Sequence, residues 1–393
     1  MSLSIANKIG VCGAGTMGNG IAQITATFGH EVVVYDQSDE ALSKAKAGLI
    51  KIMNRLVEKG RLEQSESEQI IGRIEYTNDL NKLSDSGLVI EAIIENLEIK
   101  KTLFQSIEEL VAEECILASN TSSLSIASIS SALKKPERFL GIHFFNPAPL
   151  MPLVEIIPGV ATDHSVTDSA KKLIADWGKT TVLTKDTPGF IVNRVARPFY
   201  SESIRMLEEG VADAATIDWA LTELGGFRMG PFTLMDFIGH DVNYIVTETV
   251  FEAFFYDPRF KPSFTQKRLY EAGFLGRKTG RGFYDYHDGA TNPEPNKDYL
   301  LGKYILNRVL VMLINEAIDA VFMNVASKED VELAMTKGVN YPKGLLHWAD
   351  EIGLEHVLTS LQELQNEYGE DRYRPNPLLK RMVTNKKTFF GAS

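Results

Sequence analysis

The stretch Lys8–Gly18, KIGVCGAGTMG, joins a short apolar run to a glycine-rich turn. The run Lys8–Cys12 is typical of a buried strand, and an apolar helical segment, Asn19–Phe28, follows the turn. A G-x-G-x-x-G turn between a strand and a helix is typical of a dinucleotide-binding fold, in which the glycines allow a tight turn, close approach to a pyrophosphate and close helix packing. The residues of the turn are Gly13, Ala14, Gly15, Thr16, Met17 and Gly18.

An acidic residue follows this turn at the spacing that the motif requires. A second apolar run, Glu31–Tyr35, is followed directly by Asp36, about 20 residues beyond the glycines. A carboxylate there accepts hydrogen bonds from ribose hydroxyls and repels the additional phosphate of NADP. The sequence therefore predicts an NAD site. The alternative, a tight turn that binds nothing, is disfavoured because the strand, the turn, the helix and the acidic residue all occur in the order and at the spacing of the motif.

Short β-rich runs alternate with helical patterns up to Asp186, which predicts an α/β domain with a doubly wound, largely parallel sheet of Rossmann type. The long charged stretch from Ser38 to Gly72 contains no proline and is better explained by a helical pair than by a simple crossover. The predicted strands are Lys8–Cys12, Glu31–Tyr35, Leu88–Ile94, Ile116–Ser119, Leu140–Phe145, Leu153–Ile157 and Thr181–Thr184.

The second half of the chain is predicted to be helical and to repeat itself. The segment FIVNRV at Phe190–Val195 recurs as YILNRV at Tyr304–Val309, and further Glu, Gly and Asp residues match at the same offset of 114 residues. Compositional bias is the alternative, but amphipathicity does not explain the Gly and Asn-Arg matches. We therefore predict a nucleotide-binding domain at 1–186 and two repeated all-α domains at 187–289 and 290–393, with a polar linker near Pro293.

Composition disfavours several classes of function. The 393 residues include 41 Lys and Arg against 52 Asp and Glu, a net charge of -11, which disfavours a nucleic-acid partner. The two cysteines, Cys12 and Cys115, lie in apolar runs and give no disulfide framework, which favours a reducing cytoplasm. No apolar run approaches the ~20 residues of a membrane span, and the N-terminus does not resemble a signal peptide. We expect a cytoplasmic protein with no membrane, nucleic-acid or metal partner.

His143 is the leading candidate for chemistry. It lies near the end of the predicted strand Leu140–Phe145, and Glu155 lies on the next strand. Loops at the carboxyl ends of strands line the ligand crevice of such sheets. An imidazole can take a proton from a secondary alcohol as hydride leaves, and a neighbouring carboxylate would orient it. A buried histidine with a structural role is an equally weighted alternative, because the chain has seven histidines.

Two polar residues are candidates for substrate contact. Ser122 lies in the loop SNTSSL after a strand, where it could hydrogen-bond a substrate oxygen. A capping role in the helix beginning near Ser125 is the alternative for this loop, above all for Ser123. Asn193 lies in the first turn of a predicted helix and could reach the cleft. Its twin Asn307 belongs to a copy without a nucleotide-binding domain, which gives a structural role equal weight.

Six segments, in order from about Lys8 to Tyr286, resemble the L-3-hydroxyacyl-CoA dehydrogenase family of fatty-acid and phenylacetate breakdown. The repeat resembles the additional C-terminal unit of longer bacterial members and of the fused β-oxidation enzymes. The six segments are GAGTMGNGIAQ, SNTSSLSI, GIHFFNPAPLMPLVEI, DTPGFIVNR, MGPFTLMDFIG and LGRKTGRGFYDY.

The resemblance implies reversible, NAD-dependent oxidation of a short-chain (3S)-3-hydroxyacyl-CoA, such as the 3-hydroxybutyryl or 3-hydroxyadipyl thioester, which would lie between the nucleotide-binding and helical domains. It implies that His143 is the base held by Glu155, and that Ser122 and Asn193 contact the reacting part of the substrate. It also places four residues around NAD and Lys59 near the CoA phosphates, although a solvated charged helix is the alternative for Lys59. The four residues around NAD are Glu95, Lys100, Asn146 and Lys278.

Two rival functions remain at this stage. A dehydrogenase of free sugar acids, of the gulonate type, resembles this family in its histidine and glutamate. A non-catalytic NAD-binding protein is the other rival, and the intact pair His143 and Glu155 disfavours it. The resemblance implies that in shorter family members helical domains of separate subunits pack together, so we expect either a homo-oligomer or a pseudo-dimer formed by the two copies, with one NAD per chain.

Overall fold

The computed structural model describes residues 8–391. It divides into two compact units, Met1–Thr187 and Pro188–Ser393. The first unit contains the glycine-rich turn and every predicted strand. Both predicted helical copies belong to the second unit.

Within the described residues, eight strands form one sheet in the order β3-β2-β1-β4-β5-β6-β7-β8. All neighbours pair in parallel except β6 and β7, which are antiparallel. The strand order reverses at β1, which pairs with β2 on one side and β4 on the other. The predicted doubly wound sheet is confirmed. The strands are Lys8–Cys12 (β1), Val32–Tyr35 (β2), Ile74–Thr77 (β3), Ser86–Glu91 (β4), Ile116–Ser119 (β5), Phe139–Phe144 (β6), Leu153–Pro158 (β7) and Thr180–Leu183 (β8).

One strand, β3, was not predicted from the sequence. It has four residues, pairs only with β2 at the edge of the sheet, and buries only Ile74 fully. A strand this short and this exposed leaves no clear period-2 pattern, because backbone pairing rather than side-chain burial holds it in place.

The helices of the first unit pack on the sheet and confirm the predicted helical pair, which is α2 and α3. The first helix begins at Thr16, three residues before the predicted start. A Cβ atom at Gly18 would lie 1.9 Å from the carbonyl oxygen of Gly13, so the early start requires glycine there. The helices are Thr16–Thr27 (α1), Asp39–Glu58 (α2), Gln64–Gly72 (α3), Leu97–Glu108 (α4), Ile126–Ser130 (α5) and His164–Asp176 (α6).

Helices form the regular structure of the second unit in its described residues, apart from isolated β-bridges that join Arg281 to Gly276 and to Asp285. Its longest helix, α13, is buried along most of its length and packs against helices of both copies. The helices are Val192–Val195 (α7), Arg197–Glu208 (α8), Ala214–Trp219 (α9), Pro231–Ile238 (α10), His240–Ala253 (α11), Phe264–Glu271 (α12), Tyr299–Phe322 (α13), Lys328–Leu333 (α14), Leu345–Ile352 (α15), Leu354–Tyr368 (α16) and Pro377–Thr384 (α17).

The repeat extends to the hydrogen bonds at equivalent helix starts. Helices α10 and α15 begin after Gly230 and Gly344, which are 114 residues apart. Asp218 accepts hydrogen bonds from two backbone amides in the first turn of α10, and Glu332, at the same offset, does so in α15. A Cβ atom at Gly230 would lie 2.3 Å from the Asp218 side chain. The glycine and the acid therefore recur together because the acid can approach this closely only where the residue has no Cβ atom, and the predicted duplication is confirmed.

Two buried ion pairs exchange partners between the copies. Arg194 of the first copy donates to Glu316 of the second at 2.9 Å, and Arg308 of the second donates to Glu202 of the first at 2.6 Å. Both arginines and both glutamates are at most 4% exposed. Because each arginine and each glutamate is related to its twin by the same offset of 114 residues, the contact has the reciprocity of a two-fold interface.

Within residues 8–391, no helix is long and apolar enough to cross a membrane, and no group of three or more His, Cys, Asp or Glu residues could hold a metal ion. Cys12 and Cys115 are free thiols and are both buried. Burial raises the pKa of Cys115 to about 12.

We expect Arg308→Met to lower the free energy of unfolding by about 3 kcal/mol, because the buried Glu202 loses the guanidinium that donates to it at 2.6 Å and keeps as its counter-charge only the more distant Arg372, at 3.8 Å. Lys303→Met, at an exposed position of the same helix, should change it by less than about 0.5 kcal/mol. Chemical denaturation of the full chain measures both values. Equal stability of the two variants would contradict a structural role for the exchanged pairs.

Candidate functional site

The parallel strands bring several loops to one edge of the sheet. Gly13 follows β1, Asp36 follows β2, Ile93 closely follows β4 and Asn120 follows β5, while His143 lies one residue before the end of β6. These strands all run in the same direction, so their carboxyl ends meet at this edge. A crevice outside the carboxyl ends, where the strand order reverses, is the usual ligand site of such a sheet.

The glycine-rich turn is shaped to receive a ligand. Gly13 has φ +108°, a backbone conformation that favours glycine, and a Cβ atom built at Gly15 would meet nothing within 4 Å. The backbone at Gly15 is therefore open. The Asp36 carboxylate accepts hydrogen bonds from the amides of Ala14 at 2.8 Å and Ser38 at 3.0 Å. Asp36 consequently fixes the turn and the start of α2 while retaining acceptor capacity for ribose hydroxyls.

A cavity of about 940 Å³ adjoins this turn. Its lining is mainly apolar and includes residues of the loop after β4 and of α4. Asp36 contributes a carboxylate to this lining. The lining residues are Gly13, Gly15, Thr16, Met17, Tyr35, Asp36, Gln37, Ala41, Leu80, Ala92, Ile93, Ile94, Glu98, Ile99, Thr102, Leu103 and Ser106.

His143 and Glu155 are brought together by the antiparallel pairing of β6 with β7. They are direct partners in this register. The Nδ1 atom of His143 lies 2.7 Å from Oε2 of Glu155, and the histidine is 5% exposed while the glutamate is fully buried. The carboxylate thereby fixes the imidazole ring and can stabilise its protonated form. The Phe145 ring packs beside His143 with 4.6 Å between ring centroids.

A carboxylate holds the loop that contains Ser122. One oxygen of Glu95 accepts from the Thr121 hydroxyl at 2.5 Å, the Ser122 amide at 3.0 Å and the amide and hydroxyl of Ser123. Burial by itself raises the pKa of Glu95, but Lys100, Thr121 and Ser123 together lower it below its usual range. Within the described residues the Ser122 hydroxyl makes no hydrogen bond, so it is available to a ligand.

Lys100 lies beneath this loop, between two carboxylates. Its ammonium group is 2.5 Å from Oε1 of Glu91 and 3.2 Å from Oε2 of Glu95, and the Lys100 side chain is 1% exposed. Glu91 also accepts from the Ser119 hydroxyl at 2.6 Å and the Ile93 amide at 2.7 Å. The Glu91–Lys100–Glu95 network therefore connects the cavity wall after β4 to the Ser122 loop.

The sequence did not identify Glu91 or Asn120. The side-chain Oδ1 atom of Asn120 accepts a hydrogen bond from the backbone amide of Phe144, next to His143, at 2.8 Å. The backbone amide of Asn120 donates to the carbonyl oxygen of Glu91 at 2.7 Å. A carboxylate at the end of the otherwise apolar run LVIE was the available signal for Glu91. Asn120 gave no separate signal, because its role depends on which strand lies next to β5.

The alternative role considered for Ser123, capping the following helix, is wrong. The cap of α5 is Ser125, whose side chain accepts from the Ser128 amide, with Asp186 accepting from the amides of Ile126 and Ala127. Asp186 is distant in sequence, and its proximity to α5 arises only in the folded sheet. Ser123 instead binds Glu95.

The other predicted contact residues are not joined to this network. Asn146 follows β6 and is exposed, and Lys59 is an exposed residue at the end of α2. Lys278 belongs to the second unit and pairs with Asp241. Lys51 and Arg55, which belong to the same helix as Lys59, are exposed as well.

The twins Asn193 and Asn307 differ in their contacts. Asn307 donates to Ser360 at 3.2 Å and lies 2.8 Å from Nε2 of His356, whereas the Asn193 side chain makes no hydrogen bond within the described residues. The first copy has valines at the positions of His356 and Ser360. The structural role assigned to Asn307 is therefore not transferable to Asn193.

Two family models match the chain over nearly its whole length. The 3-hydroxyacyl-CoA dehydrogenase NAD-binding domain matches residues 8–187, and the C-terminal domain of the same family matches twice, at 189–286 and 304–389. The chain belongs to the 3-hydroxyacyl-CoA dehydrogenase family. This confirms the resemblance found in the sequence, and the double match agrees with the duplicated helical domain.

Relatives in this family include proteins of similar length. The 3-hydroxyadipyl-CoA dehydrogenase of Escherichia coli K12 is 39% identical over 95% of this chain and 96% of its own length. A probable 3-hydroxybutyryl-CoA dehydrogenase of Deinococcus radiodurans is 44% identical over 71% of this chain and its own whole length. A crystal structure of a 3-hydroxybutyryl-CoA dehydrogenase from E. coli K12 superposes with a TM-score of 0.91, at 36% identity, over 98% of this chain and 99% of that chain.

Membership in the 3-hydroxyacyl-CoA dehydrogenase family makes the chain an NAD-dependent oxidoreductase. It favours the acyl-CoA enzymes over the sugar-acid dehydrogenases and over a non-catalytic protein. The first unit fits NAD. The open backbone at Gly15 matches a pyrophosphate, the Asp36 carboxylate matches a ribose, and the apolar cavity matches an adenine.

We expect a strong preference for NADH over NADPH, and we expect Asp36→Ala to weaken it, because the variant lacks the group that repels a 2′-phosphate. The ratio of kcat/KM for the two cofactors measures this preference. Asp39→Ala, at an exposed acid on α2, is the control and should leave the ratio unchanged. A wild type equally active with NADPH would refute the assignment.

Lys100→Met should lower the free energy of unfolding by about 3–5 kcal/mol, because the buried Glu91 loses its counter-charge. It should also lower kcat/KM for the acyl-CoA, since Glu95, which holds the Ser122 loop, loses the ammonium group that pairs with it at 3.2 Å. Lys101→Met, which removes only a partly exposed pair with Glu98, should change stability by less than about 0.5 kcal/mol. A stable Lys100→Met variant with a defect confined to NAD affinity would indicate direct cofactor contact instead of positioning.

Proposed function

We propose that the chain catalyses reversible, NAD-dependent oxidation of short-chain (3S)-3-hydroxyacyl-CoA thioesters to 3-oxoacyl-CoA thioesters. The buried His143–Glu155 pair at the carboxyl edge of the sheet carries this proposal. The names of the relatives support the substrate class, since one is a 3-hydroxyadipyl-CoA dehydrogenase and others are 3-hydroxybutyryl-CoA dehydrogenases.

His143 acts as the general base in the oxidation. With Nδ1 held by Glu155, the Nε2 atom takes the proton of the 3-hydroxyl, and the carboxylate stabilises the resulting imidazolium. Bound NAD supplies the acceptor for the hydride that leaves C3. In the reverse direction His143 returns the proton to the 3-oxo oxygen.

Ser122 and Asn193 orient the reacting part of the substrate. The Ser122 loop is fixed through Glu95, so its hydroxyl can be presented without the cost of ordering a mobile loop. The Asn193 amide is half-buried and has no partner in the described part of its own unit, which supports a role in binding a ligand oxygen.

Exposed cations on the helical pair are proposed to bind the CoA phosphates. Lys59 has Lys51, Arg55 and Arg61 near it in sequence, and all four are exposed. A cluster of this kind offers an anionic moiety several charge-assisted contacts despite the net negative charge of the chain.

We further propose that the enzyme is cytoplasmic.

We also propose that the second helical copy takes the place of a partner subunit. The reciprocal pairs Arg194–Glu316 and Arg308–Glu202 support this assignment, because they form within one chain the symmetric contact expected between two chains. Only the first unit contains a glycine-rich turn, so each chain should bind one NAD.

His143→Gln should retain NAD affinity and lose kcat by about 10²–10⁴-fold, the usual contribution of a general base. Glu155→Gln should lower kcat less, because the imidazole remains but is no longer oriented and stabilised by a charge. Oxidation of 3-hydroxybutyryl-CoA, followed as NADH absorbance, measures both variants.

The control for this experiment is His164→Gln, which alters an exposed histidine at the start of α6 and should retain full activity. A folded His143→Gln enzyme with unchanged turnover would remove His143 from the mechanism. An inactive wild type with every 3-hydroxyacyl-CoA would overturn the proposed function itself.

A further inference from the structure

One buried cation in the second unit lacks a counter-charge. Arg197 is 5% exposed, and no carboxylate oxygen of the described residues lies within 4.0 Å of its guanidinium. Its one hydrogen bond in residues 8–391 runs from Nη1 to the Thr247 hydroxyl at 3.0 Å, and its buried Nε atom has no acceptor. An unpaired buried charge is costly, so its presence calls for a ligand or a compensating group.

The other buried arginines show what a structural arginine in this protein looks like. Each of them has a carboxylate oxygen within 4.0 Å: Arg138 faces Glu108, Arg194 faces Glu316, and Arg308 and Arg372 both face Glu202. Arg197 alone among the described buried arginines differs in this respect.

A second unsatisfied donor lies near Arg197. The hydroxyl of Tyr341 is buried without a hydrogen-bond partner in the described residues, and Tyr341 and Arg197 are close enough to influence each other electrostatically. The Tyr200 ring packs on the guanidinium at 4.9 Å. Burial lowers the pKa of Arg197 from its ordinary high value, but an arginine remains charged. Two donors and one positive charge are thus left for an anion.

The repeat indicates that packing does not require these polar groups. At the offset of 114 residues, Arg197 corresponds to Val311, Tyr341 to Phe227 and Thr247 to Leu361. Val311, Phe227 and Leu361 are all buried. The same helical architecture is therefore built with apolar side chains at all three positions, and the polar set is an addition particular to one site.

Arg197 stands four residues after Asn193, and the intervening Ala196 keeps right-handed helical angles. Four residues of helix correspond to a rise of about 6 Å. We take Asn193 to contact the substrate near C3. From C3, the three carbon–carbon bonds to C6 and one charge-assisted hydrogen bond of about 2.8 Å span a distance similar to this helical rise. A carboxylate at C6 of the acyl chain matches this spacing.

We infer that Arg197, assisted by the hydroxyl of Tyr341, binds a carboxylate at the far end of the acyl chain, so that the preferred substrate is the CoA thioester of a 3-hydroxy dicarboxylic acid of about six carbons. This inference rests on the proposed function. The anion supplies the counter-charge that the protein lacks, and a methyl-terminated chain of equal length leaves the guanidinium unpaired.

The test compares 3-hydroxyadipyl-CoA with 3-hydroxyhexanoyl-CoA, which have equal chain length and differ at the terminal group. We expect the wild type to favour the adipyl thioester in kcat/KM by about 10- to 100-fold. Arg197→Met should abolish this preference while changing the hexanoyl value little, and Tyr341→Phe should reduce the preference in part. Equal wild-type kcat/KM for the two thioesters would overturn the inference.

Stability distinguishes carboxylate binding from a structural role. Arg197→Met replaces an unpaired buried charge by an apolar side chain of similar length, so its melting temperature should equal or exceed that of the wild type. A lower melting temperature, together with an equal loss of activity on both thioesters, would show that Arg197 is structural.

Binding of unreactive thioesters separates this inference from the proposed reaction. Calorimetry with adipyl-CoA and hexanoyl-CoA, which lack the 3-hydroxyl, should show tighter binding of adipyl-CoA to the wild type and equal binding to Arg197→Met. This binding measurement does not depend on catalytic turnover. Absence of the preference would overturn the inference, whereas inactivity towards both hydroxyacyl thioesters would overturn the proposed function.

Discussion

The parallel pairing of β1 with β2 on one side and β4 on the other is the constraint on which the candidate site depends. It makes the glycine-rich turn, Asp36 and the wall of the cavity neighbours at one edge of the sheet. The continuation through β5 and β6 brings the Ser122 loop and His143 to the same edge. The single antiparallel step to β7 then places Glu155 opposite His143, where it can orient the imidazole.

Carboxylates fix the loops around this edge once the strands have placed them. Asp36 holds the glycine-rich turn, Glu95 holds the Ser122 loop, and Glu91 holds the loop after β4. The buried Lys100 compensates the charges of Glu91 and Glu95, which explains why Glu91 can be fully buried. The loops of the site are thereby held by contacts within the protein itself, and this favours orientation of a hydroxyl for proton transfer.

Comparison of the two copies in the second unit distinguishes polar residues that the helical architecture requires from polar residues that it does not require. Polar groups that recur at the offset of 114 residues, such as Arg194 with Arg308 and Asp218 with Glu332, hold the helical copies together or fix helix starts. Polar groups without a polar counterpart, above all Arg197, serve no requirement of the shared architecture. Divergence between the copies is therefore one of the observations behind the ligand-binding role that we infer for Arg197.

The sequence by itself determined the Rossmann-type sheet, the helical repeat and the NAD cofactor, because glycine spacing, hydrophobic periodicity and a long ungapped offset are local or self-referential signals. It also marked His143, Glu155, Ser122 and Asp36 as candidates. Only the tertiary structure decided that β3 closes one edge of the sheet, that Asp186 caps α5, that Lys100 lies between Glu91 and Glu95, and that Arg197 has no counter-charge. These features depend on contacts between residues far apart in the chain, and burial and pairing of charge are properties of the folded packing rather than of any segment.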